Sequence, residues 1–121
     1  MKHPESDMQM ACVRWFRLQY PRHAELLFAV PNGGRRDVRE AARLKAEGVV
    51  SGIPDLFLAV THPKHSVCGL FIELKAGKGR LTDNQKRIIF KLRDQYYTVE
   101  VCNTVGGFMS TINNYMELCT T

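Results

Sequence analysis

Two acids and an amine stand out in the stretch 54–75: Asp55 directly after Pro54, then Glu73 and Lys75 on either side of Leu74. The runs that carry them, IPDLFLAV and CGLFIELKAG, are apolar, too short for helices and bounded by turn residues, which predicts strands over Asp55–Val60 and Cys68–Leu74. Joined as a hairpin with Val60 opposite Cys68, these strands put Asp55 opposite Glu73. Directly opposed side chains share a face, with Cβ atoms about 5 Å apart. Two carboxylates so placed repel each other. A divalent cation with oxygen ligands removes that conflict, and Mg²⁺ typically takes one or two carboxylates together with water and phosphate.

Lys75 completes the group, because alternate strand residues share a face and Leu74 points away from Glu73 and Lys75. The Leu74 backbone carbonyl is a further candidate metal ligand. Two acids, a backbone oxygen and an amine are what phosphodiester hydrolysis needs: a metal lowers the pKa of a bound water, and a lysine orients it or stabilises developing negative charge. The competing reading makes Glu73 and Lys75 exposed strand charges and Pro54-Asp55 a plain turn, since such short patterns are common by chance. Against it, the charges interrupt strands apolar enough to be buried on both faces.

The elements that must position this group follow from periodicity and punctuation. Residues 5–20 read as a helix, with Met8, Cys12, Trp15, Phe16 and Gln19 at helical spacing and Pro21 beyond its end. Glu25–Val30 reads as a strand, 36–47 as a helix closed by Gly48, 82–95 as a helix, Tyr97–Cys102 as a strand and 105–118 as a last helix. The order α-β-α-β-β-α-β-α predicts an α/β fold: one mixed central sheet flanked by helices. The 121 residues, without repeat or linker, amount to a single domain, 1–121. Lys and Arg outnumber Asp and Glu by 17 to 12, a balance compatible with a polyanionic partner. Cys12, Cys68, Cys102 and Cys119 lack metal-site or disulfide spacing and read as reduced thiols. No apolar run reaches the ~18 residues of a membrane span. No secretory leader precedes the first helix, so a cytoplasmic location is expected.

Further residues have two readings each. Gln85, three residues after Thr82, has capping-box spacing, yet it also leads the stripe Ile88, Ile89, Leu92 by one turn and so aims at the sheet. Asn32, Gly33 and Gly34 with Arg35 and Arg36 form either a plain turn or a phosphate-holding helix entrance. Arg35, Arg39 and Arg43 recur every four residues, as a solvated face or as a surface for the DNA backbone. Lys78, Arg80 and Lys86 surround the entrance to the third helix in the same sense. His62 and His65 read as loop residues, and Trp15, Phe16 and Tyr20 as core or dimer contacts.

VPNGGRR, LKAEGVVSGIPDLFLAV and CGLFIELKAGKGRLTDNQ together resemble the VRR-NUC family of the PD-(D/E)xK nuclease superfamily, in its small stand-alone viral and bacterial form. The likeness covers nearly the whole chain. It implies a restriction-endonuclease-like core and a Mg²⁺- or Mn²⁺-dependent endonuclease. It carries the metal ligands to Asp55 and Glu73 and the catalytic lysine to Lys75, and it puts Gln85 beside the site. An acid on the first helix often completes such sites, and Glu5 matches best, although a helix N-terminus favours an acid there in any case. Structured DNA such as Holliday junctions or flaps, and a homodimer, are also implied. The alternative is a non-catalytic nucleic-acid-binding module that keeps the fold, for which a buried acid pair has no use.

Overall fold

Pro4 opens the first helix, α1 (Pro4–Gln19), at a position whose N–H has no intrahelical partner. Met8, Cys12 and Phe16, four residues apart, are its buried stripe. In the computed structural model, which describes residues 3–32 and 37–120, Pro21 starts a 3-10 turn over Pro21–Leu26. The strand expected from Glu25 is therefore shorter, β1 (Leu27–Ala29). The reason is local: the fixed φ of proline suits the first position of a helical turn, and the His23 N–H donates to the Tyr20 carbonyl at 2.9 Å.

α2 (Val38–Ala46) begins at Asp37, whose side chain caps the Glu40 N–H at 2.9 Å, and it buries no residue. Next come β2 (Leu56–Leu58) and β3 (Leu70–Leu74), connected through a short 3-10 turn at Pro63–His65. α3 (Asp83–Asp94) is fixed at its start by a capping box between Thr82 and Gln85. β4 (Thr98–Cys102) and α4 (Val105–Thr120) finish the chain. The element order is the one expected. The strands lie in the order β1-β2-β3-β4, the first three antiparallel and β4 parallel to β3. Among the described residues no helix is long and apolar enough to cross a membrane.

Leu56 faces Ile72, Phe57 faces Phe71 and Leu58 faces Leu70. Continued by one residue, this register sets Asp55 opposite Glu73, the relation that the hairpin reading requires. β2 is shorter than the expected Asp55–Val60 because Pro54 has no N–H to extend the ladder and Asp55 turns its side chain to another task.

The two faces of the sheet differ, which corrects the expectation of strands buried on both sides. Leu27, Leu56, Leu58, Leu70, Ile72 and Leu74 are fully buried with Met8, Cys12 and Phe16 of α1 and Phe108 and Ile112 of α4. On the opposite face Phe28, Phe57, Phe71 and Tyr97 form a row of touching rings, centroids 4.4–5.8 Å apart between neighbours, that stays partly open to solvent. All four cysteines are free; Cys12 and Cys102 are buried, whereas Cys68 is exposed.

Gly69 makes room for this row. Its φ is +135°, and a Cβ there would stand 2.6 Å from the Phe57 ring. Gly69→Ala is expected to lower unfolding stability by about 2–3 kcal/mol, within the range for a residue forced into a glycine-only backbone region. Phe57→Leu, which removes the colliding ring edge, should recover part of that loss. Urea denaturation of the two single variants and the double variant checks this, through a coupling energy of opposite sign to the single effects.

Candidate active site

The site is built where the β2–β3 ladder ends. The Asp55 carbonyl accepts the Val30 N–H at 2.9 Å, which ties this end of β2 to the end of β1. The Asp55 side chain turns to β3, where its Oδ2 accepts the Leu74 N–H at 2.7 Å. Its Oδ1 accepts the Asn32 side-chain amide at 3.3 Å. Within a strand residue, N–H and C=O leave on the same edge, so the Leu74 carbonyl also lies on the Asp55 side.

Glu73 is only 2% exposed. Its Oε2 accepts the Gln85 side-chain amide at 3.2 Å and lies 3.8 Å from the Lys75 Nζ. Lys75 is itself buried, at 8% exposure. Glu73 Oε1 is buried and has no hydrogen-bond partner among the described residues. Gln85 serves both readings given to it: its Oε1 caps the Thr82 N–H at 2.9 Å while its Nε2 holds Glu73.

The electrostatics follow from burial. Loss of solvent pushes both carboxyls up, and the Asp55 charge raises Glu73 further. The Leu74 N–H holds Asp55 down. Glu73 is pushed up to about 8, by burial first and then by the Asp55 charge, against the pull of Lys75. Burial and the Asp55 charge thus favour the protonated form of Glu73. An orphaned buried carboxylate oxygen beside a second carboxylate is an oxygen-rich donor set that fits Mg²⁺ or Mn²⁺.

Other expected residues fall at different distances from this centre. Glu5 is exposed on α1, yet its charge reaches both carboxyls, and its Oε1 lies 3.6 Å from the Cβ position of Gly79. Among the described residues no three His, Cys, Asp or Glu side chains form a metal-holding group, so Glu5 is not drawn into the acid pair. The Cβ position of Gly79 is also 3.6 Å from Lys75 Cδ, which brings the turn carrying Lys78 and Arg80 against the site. Lys86 follows Gln85 and is exposed. Arg39 is exposed on α2, but Arg43 is engaged within its own helix, 3.1 Å from Glu47 and 3.9 Å from Glu40. Asn32 binds Asp55, and Gly33, Gly34, Arg35 and Arg36 lie outside the described residues. His62 and His65 sit at the far end of the hairpin, rings 4.6 Å apart.

Sequence reasoning missed two contributors. The sequence offers Asn32 as part of a plain turn or of a phosphate-holding entrance, not as a partner of Asp55, and nothing in it singles out Asn84, which holds Ser51 with its side-chain amide at 3.0 Å. Only the neighbouring glycine and proline of SGIPD hinted that the chain there is tightly constrained.

The sequence profile of the VRR-NUC domain family matches residues 3–106. A solved structure described as a "VRR_NUC domain protein" superposes with a TM-score of 0.79 at 26% identity, over 98% of this chain and 92% of that one. No curated protein is significantly similar in sequence. The fold is that of a nuclease domain.

A pH dependence follows from the acid pair. Between the ordinary glutamate value of 4.5 and about 8, the folded protein keeps on Glu73 a proton that the unfolded chain has lost. Stability is therefore expected to fall as pH rises through that window. Thermal melts of metal-free protein should show a declining Tm from pH 5 to 8.5. Glu73→Gln, neutral throughout, should flatten the decline; an unchanged slope would place the shifted proton elsewhere.

Proposed function

We propose that this chain, which belongs to the VRR-NUC domain family, is a metal-dependent endonuclease that hydrolyses DNA phosphodiester bonds with Asp55, Glu73 and Lys75 at its centre. One observation carries the reading: the half-buried Asp55 and the buried Glu73 come from neighbouring strands to one place, with a Glu73 oxygen left unsatisfied and an amine 3.8 Å from the other. A structural pair gains nothing from that arrangement, because a buried polar oxygen without a partner is costly.

Asp55 and Glu73 hold the cation, with the Leu74 carbonyl as a third oxygen. When bound, Mg²⁺ or Mn²⁺ polarises a phosphate oxygen and lowers the pKa of a coordinated water. Asn32 and the Leu74 N–H keep Asp55 aimed, and Gln85 keeps Glu73 aimed. Lys75, fixed beside Glu73, supplies donors where negative charge develops on the attacked phosphate. Lys78 and Arg80, carried by the turn packed against Lys75, meet the flanking backbone with Lys86 and Arg39. Glu5 tunes the field from outside the pair.

The substrate class is structured DNA, branched or flapped, and the working unit is a homodimer. A domain this small covers little duplex alone, and two symmetric centres suit paired cuts. An exposed apolar patch supports the dimer: Met10 and Leu18 of α1 are 61% and 75% exposed, beside Phe28 of the edge strand β1 at 42%. Leu18→Glu is expected to shift the protein to monomer in light scattering. A wild-type monomer would remove the dimer.

The activity is tested with four-way and flapped DNA in Mn²⁺, wild type beside Asp55→Ala and Lys75→Ala. Wild type should cleave, each variant at least ~10²-fold more slowly, and a chelator should stop the reaction. Equal cutting by all three sinks the assignment. DNA binding indifferent to chelator, with no cleavage of any substrate, establishes the non-catalytic module instead.

A further inference from the structure

We infer that Asn84 is a positioning residue which, with its neighbour Gln85, fixes where Asp55 stands relative to Glu73 for a divalent cation. The inference rests on the reading of the two acids as a cation site.

The first turn of α3 is rigid: Thr82 caps the Gln85 N–H at 3.1 Å and Gln85 caps the Thr82 N–H at 2.9 Å. Gln85 reaches Glu73 directly from that turn. Asn84 reaches the other way. Its Nδ2 donates to the Ser51 carbonyl at 3.0 Å and meets the Ser51 Oγ at 3.3 Å. Arg87 Nη2 donates to the Asn84 Oδ1 at 2.8 Å. A guanidinium only donates, so the amide oxygen must face Arg87 and the amide NH₂ must face Ser51. The orientation of Asn84 is thus set by chemistry rather than by chance.

The next residue seals the contact. Gly52 has φ +88°, and a Cβ on it would stand 2.7 Å from Asn84 Nδ2. Glycine is required both by the backbone and by the approach of the amide. From Gly52 the chain runs through Ile53 and the buried Pro54, whose φ is locked, into Asp55. Few torsions are free along that path, so the place of Ser51–Gly52 on α3 is transmitted to Asp55. Adjacent residues of one helix turn therefore set both acids, Gln85 by touching Glu73 and Asn84 by seating the segment that ends in Asp55. Asn84 touches neither carboxylate.

The prediction separates positioning from mere loop stability. Asn84→Leu keeps the volume and the helix but loses every bond to Ser51. Isothermal titration of the intact protein with Mn²⁺ alone should show a Kd raised about tenfold or more, the usual effect of losing an outer partner of metal ligands. The metal-free Tm should move by only a few degrees, and cleavage should return as Mn²⁺ is raised. Gly52→Ala, which pushes Asn84 off by a different route, should weaken Mn²⁺ in the same way, and the double variant should be no worse than the weaker single one. A Kd within twofold of wild type for both variants overturns the inference while leaving the cation site standing. A wild type that takes up no Mn²⁺ overturns both.

Discussion

Keeping Asp55 against Glu73 where little water reaches is the constraint on which the rest of this molecule turns. Two like charges at that spacing repel strongly in a medium less polar than water, and each has also lost its own hydration. The fold answers with partners drawn from every side. Leu74 of β3 and Asn32, just past β1, hold Asp55; Gln85 of α3 and Lys75 hold Glu73. Of the four oxygens of these two acids, Glu73 Oε1 has no hydrogen-bond partner among the described residues. The far face of the same strands offsets what the site costs. Leu56, Leu58, Leu70, Ile72 and Leu74 are fully buried there, and each such side chain stabilises by about 1.5–3 kcal/mol relative to exposure. One pair of strands thus carries an apolar face that stabilises and a polar face that strains.

How much of this can be read from the chain depends on the range of the interaction. The hairpin register was legible because alternation is a local property and the apolar runs admit one pairing in which both acids meet. The double role of Gln85 was legible too, since the capping box and the apolar stripe of α3 are both short-range patterns. The 3-10 turn at Pro21–Leu26 was missed because AELLFAV reads as one apolar run, whereas the backbone restriction of Pro21 acts ahead of it. The ion pairs within α2 were overlooked for a different reason. Arg43 has Glu47 four residues on and Glu40 three residues back, and spacing alone would have paired them had the acids been weighed with the bases. Asn84 was out of reach: its partner Ser51 is 33 positions away, and no periodicity links them.

The place of the acids at the rim of the sheet has its own logic. In mid-ladder the Leu74 N–H would be bound by a neighbouring strand's backbone. The β2–β3 ladder ends at Leu56 and Ile72, so that N–H is left for a side chain, and Asp55 takes it at 2.7 Å. Pro54 does two things at once: it has no N–H to give the Leu74 carbonyl, and its locked φ stiffens the approach to Asp55. The rim also lets Asp55 remain half-buried while Glu73 is nearly sealed, so the pair is enclosed on the protein side and reachable on the other.

The charge balance at that opening bears on the proposed chemistry. With both carboxyls ionised, Lys75 offsets one of them and Glu5 adds a more distant negative field. Left so, the centre repels a phosphodiester even though the chain as a whole carries +5. A divalent cation between the acids reverses the local sign, because a bound metal is the largest charge in such a site. On this reading the surplus of lysine and arginine draws the polyanion to the surface, but it is the occupancy of the acid pair that decides whether a phosphate can enter. On the same proposal binding and cleavage should respond to metal differently, since Lys78, Arg80 and Lys86 would act on the DNA backbone without any help from Asp55 and Glu73.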